Sequence, residues 1–335
     1  MEIVIENFRC FGEGGDCFCL KLKSGLTALV GENDTGKTAV IDALRFVLGT
    51  TDQEWYRLED TDFRQGAASR EIKIICKFEG LSHRDKRAFV EYLTYGETTG
   101  SAPALYVNWT ARDTGEMLKG RPYRRVEVHS GKSGDGPSIV AQVRELLCAT
   151  YLRPLRDAEK ALSSGRGSRL AQVLRQSESV KTGVNAYDPA KLLKGQELSV
   201  LGIANLLNEL LETQKGVTDA CDEIDANLKG LSLQGDDLKS DIKVSRMTAS
   251  DEVRLKELLE KLDLRLDGKG KRGLGSNNLL FTACELLLLA QEDEGYKLLL
   301  IEEPEAHLHA QRQLKVMKFM QQQAKEKGIQ IIVSK

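Results

Sequence analysis

The sequence predicts an α/β fold with a mixed sheet, an antiparallel β subdomain and a helical insertion. Three features carry that prediction. A short apolar run, Leu26 to Val30, opens into the glycine-bounded loop Gly31 to Thr38 and then into a helical repeat. A second run, Leu298 to Ile301, is fully apolar and ends in the adjacent carboxylates Glu302 and Glu303. Between about Asp157 and Lys243 the chain is polar, with helical periods and few strand candidates.

Taken in order, Met1 to Ile5 reads as a strand, Gly12 to Gly15 as a turn and Cys17 to Leu22 as a return strand. Behind the loop, Val40, Ile41, Leu44, Val47 and Leu48 recur at helical spacing, and Gly49 stops the run. Strands are expected at Glu71 to Phe78, Ala104 to Thr110 and Arg124 to His129, with a surface loop over Ser130 to Ser138. Val140 to Cys148 looks helical and leads into a strand end at Thr150 to Leu152. In the polar middle, Leu170, Val173 and Leu174 form one apolar set, and Leu201, Ala204, Leu207, Leu210 and Leu211 a better one. Internal glycines and the break at Tyr187-Asp188-Pro189 argue against one continuous coiled coil.

Strand and helix alternation is expected to resume near Ile242. Ser276 is placed as the cap of a helix with Leu279, Ala283, Leu286, Leu287 and Ala290 on one face. Ala310 to Lys325 reads as a helix with Leu314, Met317 and Met320 inside, and Ile329 to Val333 as a buried strand. Residues 1–157 and 244–335 are thus expected to form two parts of one core, with 158–243 inserted as a helical segment. The chain ends without the turn and helix that an α/β fold would place next, so it is expected to be a piece of a longer protein.

With 335 residues, 41% hydrophobic and 29% charged, the chain can bury a large core. Its net charge of −2 excludes a chain that is basic throughout, while a local basic stripe remains compatible with it. Seven cysteines without a C-x-x-C pair point to reduced thiols in a cytoplasmic protein. Cys10, Cys17 and Cys19 lie close together; small half-buried residues of a hairpin are favoured there over a metal site. The acidic N-terminus is no signal peptide, and no apolar run approaches the ~20 residues a membrane span needs.

Gly31-Glu32-Asn33-Asp34-Thr35-Gly36-Lys37-Thr38 fits the phosphate-loop pattern G-x-x-x-x-G-K-[ST]. Gly31 leaves the strand and Gly36 lets the backbone pass close to phosphate oxygens. The N–H groups between them, through Ala39 at the helix start, point at an anion that the helix dipole favours. Lys37 adds a point charge and Thr38 a hydroxyl for Mg²⁺. A buried strand ending in two carboxylates needs a cation, because unpaired buried charge is costly. Glu302 suits the metal, and Glu303 suits activation of a water as general base. His307 and His309 do not share a helical face and lack a third ligand, so a turn meeting a partner, or a plain structural turn, is expected there.

Gly273 to Leu279 precedes a helix, and its glycines and Ser276 could form a second anion nest. Two nests on one triphosphate are more easily supplied by two protomers, head to tail. Together with Ile5 to Phe11, the phosphate loop, Tyr151 to Asp157 and Ile301 to His309, this order of motifs resembles the ATPase half of the OLD (overcoming lysogenization defect) family. Those proteins are SMC/RecF-like ABC ATPases fused to a C-terminal Toprim nuclease. The resemblance is strong at both ends of the chain and weak between about Arg166 and Lys243.

The resemblance implies ATP and Mg²⁺ as cofactors, a homodimer formed through the ATP sandwich and the helical insertion, and DNA as a partner of the full-length protein in phage defence. It implies that Gly275, Ser276 and Asn277 act in trans, that Arg9 lies near the nucleotide, and that His307, Leu308 and His309 form the D-loop. Glu302 stands where an Asp is usual in broader ABC proteins. Tyr151 to Asp157 holds the place of a Q-loop but has no Gln; Gln65 is a weaker alternative. Asp263 and Asp267 read as a solvated strand face over Lys261 to Asp267, not as nuclease ligands, and Lys269, Lys271 and Arg272 as solvated loop charges. An SMC/RecF-like DNA-repair or chromosome-associated clamp without nuclease is the alternative. Both require the loop at Gly31 and the acids Glu302 and Glu303 on neighbouring strands.

Overall fold

The computed structural model describes residues 1–51, 57–96, 101–153, 162–166, 168–185, 188, 197–231 (backbone alone at 227–231), 239–244, 249–264, 274–291, 295–304, 306 and 308–335. The chain divides into two compact units, Met1–Arg156 with Glu285–Lys335, and Asp157–Cys284.

The first unit holds two sheets. The antiparallel one is built from β1 (Glu2–Glu6), β2 (Phe18–Lys21), β4 (Glu71–Phe78), β5 (Leu93–Thr94), β6 (Ala104–Leu118) and β7 (Arg121–His129), in the order β2-β1-β4-β6-β5 with β7 on β6. Its inward positions alternate as a half-buried sheet requires: Ile3, Ile5, Ile72, Ile74, Cys76 and Phe78 are all buried. β6 runs well past the predicted Thr110, because its outer half pairs with β7. Lys119 and Gly120, both at positive φ, make the two-residue turn.

The second sheet contains β3 (Leu26–Leu29), β8 (Thr150–Leu152), β9 (Leu298–Glu302) and β10 (Gln330–Ser334), all parallel, in the order β3-β10-β9-β8. Every residue of β9 and β10 is buried. Strands covered on both faces read as continuous apolar runs, which is why both were visible in the sequence.

Helix α1 (Lys37–Leu48) packs on β4 and β6 of one sheet and on β10 of the other. Every residue from Ala39 to Leu48 is therefore buried, including Asp42 and Arg45. The short helices α2 (His83–Ala88) and α3 (Ala141–Glu145) complete this part of the chain.

The second unit is helical among the described residues: α4 (Arg169–Gln176), α5 (Glu178–Lys181), α6 (Val200–Thr213), α7 (Lys215–Leu231) and α8 (Asp251–Leu259). Ser168 and Ser199 cap α4 and α6, accepting from the N–H groups of Ala171 (3.2 Å) and Gly202 (3.0 Å). The unit extends to Cys284, past the expected 243, because α8 packs on α4 and α6. Leu255, Leu258 and Leu259 are buried there with Ala171, Leu201 and Ala204. No strand forms at 239–244 or 261–264, so alternation does not resume near Ile242 and the expected strand face at Asp263 is absent. Asp263 instead accepts a hydrogen bond from the Ser164 N–H (2.6 Å).

Helix α9 (Leu274–Gln291) spans the division between the units, and α10 (Ala310–Lys327) packs on β3 and β10. α9 already begins at Leu274, so Ser276 lies in its first turn and not at its cap. Two predicted faces need correction. Leu287 is exposed while Leu286, Leu288 and Leu289 are buried, and Leu314 of α10 is 67% exposed while Met320 is buried. Gly273, Tyr187, Pro189, Asp267, Lys269, Lys271, Arg272, His307 and the stretch from Pro154 to Asp157 lie outside the described residues.

Truncating Leu300, fully buried in β9, tests the parallel sheet as core. Leu300→Ala is expected to lower stability by about 2–5 kcal/mol, and Leu314→Ala to stay within about 0.5 kcal/mol of the parent. Urea titration followed by circular dichroism reads both; equal midpoints would contradict this core.

Candidate functional site

β3, β9 and β10 run in the same direction, so their C-terminal ends open on one edge of the sheet, where α/β folds bind ligands. The expectation of neighbouring strands is corrected: β10 lies between β3 and β9. The side chains still meet, because one interposed strand is narrower than the loop is long. A cleft of about 630 Å³ is lined by Asn33, Asp34, Gly36, Lys37, Thr38 and Ala39, by Glu302 and Glu303, by Arg9 and Cys10, and by Ser334 and Lys335.

The loop is shaped by its glycines. Gly36 caps α1 at φ 94, and a Cβ there would stand 2.7 Å from Cys10 Sγ and 2.9 Å from Phe11 Cζ. A Cβ on Gly31 would meet Thr35 Oγ1 at 2.8 Å. The Thr35 hydroxyl itself donates to the Glu32 carbonyl (2.9 Å), which shapes the turn from within. Lys37 Nζ donates to the carbonyls of Gly31 and Glu32, each at 2.6 Å, and so sits over the loop.

The two acids differ sharply. Glu302 is buried at the end of β9, and its Oε2 accepts from the Tyr151 hydroxyl at 2.5 Å. Burial first, and then the hydrogen bond and charge of Glu302, push the Tyr151 phenol up, so it stays protonated and donates. Glu303 is exposed and sits at φ 45, a left-handed conformation unusual for a side-chain-bearing residue. Its N–H donates to the Ser334 carbonyl (3.0 Å), tying the acid pair to the end of β10.

Arg9 also adopts a positive φ, 51°, and its N–H donates to the Asp62 carbonyl (2.9 Å). Its guanidinium pairs with Asp62 at 2.9 Å and with Asp42 at 2.8 Å. Asp42 also pairs with Arg45 at 2.8 Å, and the Arg45 guanidinium lies 4.1 Å from the centre of the Tyr151 ring. A continuous chain of contacts thus runs Asp62–Arg9–Asp42–Arg45–Tyr151–Glu302, with only Arg9 and Tyr151 half-exposed. Buried charges need such pairing. Sequence reasoning found Arg9 and Glu302 but missed Asp42, Arg45, Asp62 and the hydroxyl of Tyr151. The available signal was Asp42 and Arg45, an i,i+3 charge pair inside an otherwise apolar helix. Gln65 does not line the cleft; its near neighbour Asp62 supports Arg9 instead.

Gly275, Ser276 and Asn277 lie in the first turn of α9, in the second unit. Of the expected D-loop, His307 is outside the described residues. The Leu308 carbonyl accepts from Gln313 Nε2 (2.9 Å), and His309 precedes α10 without a side-chain cap bond. Cys10, Cys17 and Cys19 are free thiols, and among the described residues no cluster of three or more His, Cys, Asp or Glu could hold a metal. No described helix is long and apolar enough to cross a membrane.

Tyr151→Phe removes the hydroxyl that donates to the buried Glu302 carboxylate while keeping the ring over which Arg45 stacks. A loss of about 1–3 kcal/mol of stability is expected, measured by urea unfolding; an unchanged midpoint would show that the bond contributes nothing.

Solved structures support this fold. An Smc head bound to the C-terminal winged-helix domain of ScpA aligns over 99% of this chain and 88% of its own, at TM-score 0.50 and 14% identity. The Smc head with an extended coiled coil bound to the C-terminal domain of ScpA, from Pyrococcus furiosus, aligns over 100% and 88%, at TM-score 0.50 and 13% identity. No curated protein matches the chain. The sequence profile of the family described as AAA ATPase domain matches residues 1–130 and 150–334, spanning the phosphate loop, Tyr151 and both acids. With an ATPase profile over nearly its whole length and the fold of an Smc head, this chain belongs to the AAA ATPase domain family.

Proposed function

We propose that the chain is the ATP-binding and ATP-hydrolysing module of an OLD-type DNA endonuclease, in which ATP held between two protomers gates DNA processing in phage defence. The observation that carries the ATPase chemistry is the convergence of Lys37, Thr38, Glu302 and Glu303 on one cleft at the N-terminus of α1.

The residues present fit Mg²⁺-ATP. The glycine cradle leaves no room for a Cβ at Gly36, as close backbone approach to phosphate demands. Lys37 brings a cation for phosphate oxygens, and Thr38 with Glu302 forms a hard oxygen donor set. When bound, Mg²⁺ neutralises charge on the phosphates. Tyr151 orients Glu302 from behind. Glu303, exposed in the same cleft, holds a water and accepts its proton. Arg9 borders the nucleotide and is kept there by Asp42 and Asp62. Gly275, Ser276 and Asn277 would complete the site of a partner protomer, with the helical segment as a second dimer contact. The D-loop at Leu308 and His309 would meet that partner.

The likeness of the fold to Smc heads suits a second reading, a DNA-repair or chromosome-associated clamp without nuclease activity. Plasmid nicking by the full-length protein with Mg²⁺ separates the two: cleavage supports the first, and ATP-dependent DNA retention without cleavage supports the second.

Lys37→Ala is expected to lower ATP turnover by at least about a hundredfold, read by phosphate release. Glu303→Gln is expected to slow turnover by about 10²–10⁴-fold while keeping ATP binding, and to accumulate as an ATP-dependent dimer in size-exclusion chromatography. A Glu303→Gln variant with parental turnover would remove Glu303 from the chemistry.

A further inference from the structure

A second, larger cleft lies at the other end of α1. It encloses about 940 Å³, within the range of small-molecule sites. The 12 residues of α1 separate it from the phosphate loop by about 18 Å. Among the described residues, its walls carry Arg45, Arg57, Arg121, Arg124 and Arg144, and no Asp or Glu.

Two of these arginines have counter-charges: Arg45 pairs with Asp42, and Arg124 with Asp60 at 3.0 Å. Arg57, Arg121 and Arg144 make no ion pair to a carboxylate among the described residues. Arg144 is fixed by donating to the last carbonyls of α1, Phe46 and Val47, each at 3.2 Å. Its Nε is buried without a hydrogen-bond partner, and so is the Nε of Arg124. Burial, opposed in part by Cys148, pushes Arg144 below the usual arginine value, as expected of a cation that has lost water and gained no anion. Buried donors of this kind are rare unless something accepts from them.

The same cleft offers flat apolar surface. Tyr123 is 40% exposed on β7, and the buried Trp109 also lines the cleft, with its ring 5.1 Å from that of Phe46. Guanidinium forks match phosphate oxygens, and an exposed ring accepts a base by stacking.

We propose that this cleft binds a phosphorylated ligand of nucleotide size, separate from the phosphate loop, either as a free nucleotide or as a unit of a nucleic-acid strand. Arg57, Arg121 and Arg144 take the phosphates, and Tyr123 takes the base. The proposal goes beyond the ATPase reading and does not depend on it.

Calorimetric titration of Lys37→Ala protein, whose phosphate loop is disabled, tests it. The probes are ADP, inorganic pyrophosphate, a short single-stranded oligothymidylate and polyglutamate. ADP or the oligonucleotide is expected to bind once per chain. Adding Arg57→Glu and Arg121→Glu, both on exposed side chains, is expected to weaken that binding by roughly tenfold or more, with circular dichroism confirming the fold. Tyr123→Ala is expected to weaken ADP more than inorganic pyrophosphate. Binding of ADP identifies a free nucleotide, and binding of the oligonucleotide alone identifies a strand. Binding of neither, affinity untouched by the charge reversals, or polyglutamate binding as tightly as the phosphates would overturn the proposal.

Discussion

The candidate site depends on one arrangement, the insertion of β10 between β3 and β9. Parallel pairing sends all three strands to the same edge, so the phosphate loop after β3 and the acids at the end of β9 emerge side by side. The C-terminal end of β10 then ties both. Its Ser334 carbonyl accepts the Glu303 N–H, and the Lys335 N–H donates to the Leu29 carbonyl (2.9 Å). Glu303 holds its left-handed backbone because this end of the sheet constrains it.

Helix α1 carries the second constraint. Packed between two sheets, it has no solvent face on which to place Asp42 and Arg45. Their burial forces them into pairs with Arg9 and with each other, and places Arg45 over Tyr151. The buried carboxylate of Glu302 is thereby linked to a loop far away in sequence, at Arg9 and Asp62. The two ends of this helix also differ electrically. Residues Gly36 to Ala39 at its start line the cleft, while the carbonyls of Phe46 and Val47 near its end are taken by Arg144.

The elements legible in the sequence were those whose chemistry is local. β4 spans the predicted residues, and the phosphate loop and the acid pair share a cavity as their types suggested. The errors lie where a partner decides. Leu314 and Leu287 obey helical spacing yet stay exposed, because periodicity marks an apolar face without naming what covers it. The helical unit ran on to Cys284, because α8 finds its cover on α4 and α6 and not in the sheet.

By itself, then, the sequence determined an α/β ATPase core: the loop from Gly31 to Thr38, the apolar strand into Glu302 and Glu303, and a helical segment between. Those signals need only a residue's near neighbours. Tertiary structure alone decided that β10 separates β3 from β9, that Tyr151 holds Glu302, and that Arg9 is clamped by Asp42 and Asp62. Those contacts join residues far apart in the chain, and only the packing of two sheets around α1 brings them within hydrogen-bond reach.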